Sequence, residues 1–449
     1  ISANVSINKV DDDTLAYVHD AAVEATNLTI TAQNPTDIWA LGLAASAASA
    51  SDVTVALSGT YGQNTLRLNT QSFADNSHIV LAGDFKQSAK NTGDLISVAI
   101  GASLAVSSGG QGTSAAVPIG VSVSRNEVNN TASAYVKNST VAGDAIQTVS
   151  FDAEDNSSIY AFSVAAAIGV AKGTKTSVSL SVGGAESFNT VSPKTHAYAD
   201  GSTIHAHQVD FTAKTGSNIV SVVGAVSGSL AIGGTDGVSG GLGAAIAINS
   251  IGVSELGVDA TSEVLAYAKN SSIDAKGALT LHAEADQGIV AIVLAAAVVA
   301  GVGEKTGVGV SIAGALAFND IGSHIKAYID GDQVDSHLIY ADSISLSAHD
   351  TSKIISVVGA ASVAAAFGGE DAGSVAVGAA LAFNKISNEV DAYVINAGDV
   401  MTRVGDIHLE AITGGTIDSV AAAASVSIAG GGKDAVAISG AGAVAKNVI

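Results

Sequence analysis

Apolar residues follow two rhythms along this chain, and both belong to strands. In the first they alternate with polar ones, as in Val209-Asp-Phe-Thr-Ala213, Leu279-Thr-Leu-His-Ala283, Ile344-Ser-Leu-Ser-Ala348 and Ile407-His-Leu-Glu-Ala411. A period of two with β-branched and aromatic members predicts a strand with one buried face. In the second, charge almost vanishes. Ile354 to Phe367 is apolar or small throughout, a glycine-rich turn follows at Gly368 to Gly373, and a second run returns from Ser374 to Phe383. Strands apolar on both faces predict burial of both faces. No window carries a 3.6-residue stripe with capping residues, so no helix is expected.

Both rhythms recur. The return run leads into an asparagine at Asn8, Asn126, Asn189, Asn249, Asn319, Asn384 and Asn447. After a first gap of about double length, these follow one another at roughly 60 to 70 residues, the even spacing of a repeat array. Asn69 divides the double gap into two of nearly equal size. An Ala-Tyr pair follows at Tyr17, Tyr135, Tyr198, Tyr267, Tyr328 and Tyr393, nine residues past the asparagine in five cases and eighteen in the sixth. A nine-residue insertion at about 254–262 accounts for the exception. The Asn69 unit lacks the tyrosine and reads as degenerate. The units run 8–68, 69–125 (degenerate), 126–188, 189–248, 249–318 (with the insertion), 319–383 and 384–446, in one continuous array over 1–449.

Composition narrows the fold. Glycine is 50 of 449 residues, charged residues are 13 % against a typical ~25 %, and there are three prolines, which suits unbroken ladders. The expected class is all-β, a repetitive β-solenoid resembling a parallel β-helix. Two arrangements stay open. Either each unit winds three coils of about 20 residues, giving a rod on the order of 100 Å, or it makes one broad coil from which the apolar pair projects. A membrane helix over Gly288 to Gly303 fails, because Glu304-Lys305 interrupts it and its sister runs are studded with serine and glycine. A membrane β-barrel would carry aromatic girdles, and the chain has one tryptophan, Trp39. The recurring asparagine is expected to hold a left-handed corner, with a hydrogen-bonded ladder as the alternative. The tyrosine is expected at a half-buried rim.

Candidate chemistry changes the picture little. Net charge is −22, from 41 acids and 19 bases, which argues against a nucleic-acid partner. Cysteine is absent, so there is no disulfide or thiolate site. His205 and His207 form the one candidate metal pair, and a plain surface pair is the expected reading. The acids cluster in expected turns, at Asp11-Asp-Asp13 and Asp330-Gly-Asp332, and Gly234-Thr-Asp236-Gly only suggests a calcium motif. Repetition of acids with the turns argues against the unique carboxylate pair of a β-helix polysaccharide-degrading enzyme. No catalytic, cofactor-binding or metal residue is assigned, and the expectation is not an enzyme.

Runs such as Ala327-Tyr-Ile-Asp330, Ile344 to Asp350, Ile354 to Gly369 and Val375 to Ile386 resemble the repeats of filamentous-haemagglutinin-like β-strand-repeat adhesins of bacterial surfaces. The resemblance implies a secreted, cell-surface or extracellular-matrix protein whose repeats form a stalk. The expected function is a structural rod or filament-forming segment. The alternative is an adhesive module in which acidic turns hold Ca2+ or the tyrosine face grips surface glycans. No membrane-spanning segment is expected. The chain begins at Ile1 and stops inside a further unit at Ile449. The partner expected is therefore either another copy, joined end to end in a fibre, or the covalent continuation of a longer chain.

Overall fold

The structure, a computed structural model, describes residues 1–109, 112–143, 146–253, 261–331 and 337–449. Most of the insertion expected at 254–262, and Asp332, lie outside these residues. Within them the chain forms thirty-four strands and no helix. The strands build four open sheets, one of thirteen strands and three of seven, with parallel pairing throughout. This is a solenoid, not a closed antiparallel barrel.

Register sets the size of a turn. Ser2 pairs with Ser58, Lys137 with Asp200, Asp200 with Lys269 and Asp330 with Ile395. The chain completes one turn in 56 to 70 residues, the separations of the bonded pairs Asn8–Asn64 and Asn249–Asn319. Of the two arrangements left open by the sequence, this is the broad coil. The three-coil stack does not form, and seven strands about 4.8 Å apart span roughly 30 Å along the axis, not about 100 Å.

One coil runs through a rim strand (Ser323–Asp330), a short strand (Leu338–Ala341), an alternating strand (Ser343–Asp350), an outgoing strand (Lys353–Gly368) and a return strand (Asp371–Ile386). The first three enclose a body. Their period-two pattern turns Phe85, Phe151, Phe211, Leu281 and Leu346 inward against Val136, Ile204 and Ile273, all buried. The corner after the rim strand needs positive φ. Asp20, Asn76, Asn138, Gly201, Asn270 and Asn396 supply it at 46° to 57°, residue types that accept the left-handed region at least cost.

The outgoing and return strands form the second part of the cross-section. They lie in different sheets and do not pair with each other. At the tip the chain arches over, so the two sheets face one another as a slab. The tip turns stack as well, with Thr235, Lys305, Glu370 and Lys433 each donating a backbone N–H to the turn of the preceding coil. Between the sheets lie mainly alanine, serine and glycine, with a few valines, Val223, Val293, Val299 and Val358. A Cβ at Gly183 or Gly243 would sit 2.4 Å from the carbonyl of Val226 or Ala296 in the facing strand, so only glycine permits that approach. Serines bridge the gap, Ser181 to Ser227 at 2.6 Å and Ser311 to Ser362 at 2.9 Å. Isoleucine, leucine and valine at the strand bases, among them Leu66, Ile159, Ile251 and Ile354, seal the slab to the body.

Burial of both faces does not hold. Along Gly288–Gly303 buried residues alternate with half-buried or exposed ones, and Leu294 and Val298 are 51 % and 53 % exposed. The inner face is closed because its side chains are mostly small, with valine or isoleucine at a few inner positions such as Ile289, Val293 and Val299. The outer face carries the larger ones and is open.

Candidate interaction surfaces

Eight asparagines run through the slab near its base. Asn8, Asn64, Asn126, Asn189, Asn249, Asn319 and Asn384 each donate from Nδ2 to Oδ1 of the next, ending at Asn447, at 2.7–2.8 Å. Parallel in-register strands put like side chains one above another, and an amide is donor and acceptor at once, so the column satisfies itself. This corrects two expectations. The asparagines form a ladder and none has positive φ. The missing rung is Asn64, paired with Asn8 and Asn126, whereas Asn69 sits in the rim part of the same strand, opposite Asp13 and Thr131.

The tyrosines form a second column on the outer face of the rim strands. Tyr17, Phe73, Tyr135, Tyr198, Tyr267, Tyr328 and Tyr393 stack with centroids 4.6–5.0 Å apart and planes within 7°. Phe73 fills the position that looked degenerate. Burial, aided by neighbouring hydroxyls and carboxylates, pushes the hydroxyls of Tyr198, Tyr267 and Tyr328 well above their usual range. A sugar stacks on a ring face, and here each interior ring face is taken by the next ring. The column therefore offers edges, not platforms.

The acids and histidines serve the ladders. Asp11, Asp12 and Asp13 lie within the strand Ser2–His19, not in a turn. Asp12 accepts from Asn34 Nδ2 at 2.9 Å and Asp13 from Asn69 Nδ2 at 2.8 Å. Asp236 takes a 3.4 Å hydrogen bond from Thr176 of the preceding coil. His205 is half exposed with Nδ1 3.8 Å from Asp274, which Arg403 also contacts. His207 lies just past the short strand, against Gly277. Among the described residues no three His, Cys, Asp or Glu side chains gather as a metal site. His196, His324 and His349 each pair with a glutamate one coil on.

A polar row inside the body was not expected from sequence. Asn34, Asn91, Asp155 and Thr215 stand in register, with Asp350 two coils further. Asp155 is fully buried, and burial pushes its carboxyl up to about 6, against hydrogen bonds from Ser157, Asn91 and Ser217. Its partners all belong to the ladder, so it reads as part of the packing.

The largest unsatisfied feature is apolar. The outer face of the outgoing sheet carries rows of branched and aromatic residues, including Leu41, Phe162, Leu294, Val298 and Val420, exposed by 39–63 %. Outward-facing charge on this sheet is confined to its margins, at Lys172, Lys353 and Asp418. The outer face of the return sheet is also apolar near the tip but carries Arg125, Glu127, Glu186, Asp320 and Lys385 toward its base. Nothing in the sequence reading singled out these faces, because large apolar residues were assigned inward. No helix of the described residues is long and apolar enough to cross a membrane.

Compared with known proteins, the chain matches no family model, no curated protein and no solved structure.

Proposed function

We propose that the chain is a structural segment, a stiff β-solenoid rod of a secreted bacterial surface protein, acting in adhesion or extracellular matrix. On this reading it is built from repeat units of about 60 residues, each one coil, with boundaries at the ladder asparagines. The observation that carries the reading is continuity. The asparagine column crosses eight strands and the ring column seven, and nearly every polar or aromatic feature repeats. A site that binds or catalyses needs a cluster that departs from the repeat. Among the described residues the departures are single side chains such as Gln87 and one surface group, Arg403 with Asp274, Asp342 and Tyr340, whose members satisfy one another. The absence of cysteine and the resemblance to β-strand-repeat adhesins support an extracellular setting.

Deletion of residues 319–383 tests the reading. It joins Phe318 to Asn384, restoring the Phe-Asn sequence at the splice and apposing strands of matching register. A solenoid held by nearest-neighbour interfaces merely shortens. The expected product is soluble, with unchanged circular dichroism per residue and cooperative unfolding. A product that fails to fold, or that loses a calcium- or glycan-binding activity which the parent shows, contradicts the proposal.

A further inference from the structure

We infer that the outer face of the outgoing sheet is the surface on which a second copy of this chain packs. The face is one field of apolar residues. About twelve residues along each strand and six spacings across seven strands make roughly 40 Å by 30 Å, on the order of 1,200 Å². The largest exposed apolar patch of a typical monomer is about 300–600 Å², and a stable interface needs about 800 Å² per partner. The face alone exceeds both.

Its relief suits a like surface. Across the middle runs a furrow of about 590 Å³, floored by Gly224, Ala296, Gly359, Ala361, Ala422 and Ala424 and interrupted by the side chains of Leu294 and Val226. It follows the line where the slab is pinched, with glycines such as Gly183 and Gly243 drawing the return sheet inward. Ridges flank it, one through Phe162, Ile292, Val357 and Val420, the other through Ile168, Val298 and Val426. In a two-fold pair the ridge of each copy enters the furrow of the other, and two sheets packed this way lie about 10 Å apart.

Charge selects among occupants. A lipid surface attracts basic and aromatic margins; the margins here carry Lys172 and Lys353 with Trp39, Tyr160 and Phe367, but they belong to a chain of net charge −22, which an anionic surface repels. Two such copies repel at long range, so apolar contact drives the pairing and salt strengthens it. The inference stands on the face alone and does not require the structural function proposed above.

The test is sedimentation velocity on the 449-residue chain from about 1 to about 100 µM, at about 0.05 and about 0.5 M salt. Dimer is expected to form with concentration and to tighten at higher salt. Val298→Glu, on a ridge and exposed in the monomer, is expected to weaken dimerisation at least tenfold while circular dichroism stays unchanged. Val310→Glu, equally a strand valine but on the return face, is expected to leave the dimer intact. A monomer at all concentrations overturns the inference, as does a dimer indifferent to Val298→Glu or one lost equally in Val310→Glu. Binding of phosphatidylcholine vesicles by a protein that stays monomeric in solution also overturns it, in favour of a lipid partner.

Discussion

Gln87 stands where every other coil has an apolar side chain. Its row along the body reads Ile30, Gln87, Phe151, Phe211, Leu281, Leu346 and Leu409. The side chain is 1 % exposed, and neither Oε1 nor Nε2 has a hydrogen-bond partner among the described residues. An unpaired buried amide costs about 1–3 kcal/mol. Gln87→Leu, similar in volume and matched to its neighbours, is expected to raise stability by about 1–3 kcal/mol in chemical denaturation. A loss of stability would place a hydrogen-bonding role on that amide. The asparagine column was visible in the sequence as spacing, but its function was not. Spacing cannot distinguish a corner from a rung, and only stacking of consecutive coils decides it. Asn64 was missed because even division of the long gap favoured Asn69, while the first turn takes 56 residues.

At the scale of the element, the strands themselves were legible. Alternation in Ile344 to Ala348 and the two charge-free runs, Ile354 to Phe367 and Ser374 to Phe383, give strand wherever they occur, and the observed strands cover them. What failed was the assignment of faces. Apolarity on both sides of a strand normally means burial on both sides, yet here side-chain size separates the faces. Within Lys353–Gly368 the inward positions include Ser356, Ala360, Ala364 and Ala366, and the outward ones Ile355, Val357, Val363 and Phe367. The consequence is measurable. Ala380 is fully buried between the sheets, while Ala365 faces outward. Ala380→Leu is expected to cost about 1–3 kcal/mol through overpacking, and Ala365→Leu less than about 0.5 kcal/mol. Equal costs in thermal or denaturant unfolding would mean that the outer face is covered within the single chain.

For the whole molecule, the sequence pointed to an all-β solenoid but left the winding open. A period of roughly 60 residues fits one broad coil or three narrow ones, because composition does not reveal where a strand pairs. Register does reveal it, and it gives the molecule a cross-section of body plus slab and a short axis. The positions Lys137, Asp200, Lys269, Asp330 and Ile395 follow one another directly up the rim sheet. The chain contains no cysteine, so spin labels can be placed at will. Electron-electron dipolar spectroscopy between labels at Lys137→Cys and Ile395→Cys, both exposed, measures the winding directly. Four strand spacings predict a separation of about 20 Å. Three coils in each period would put twelve spacings between the same residues, and a distance of about 60 Å would contradict the account.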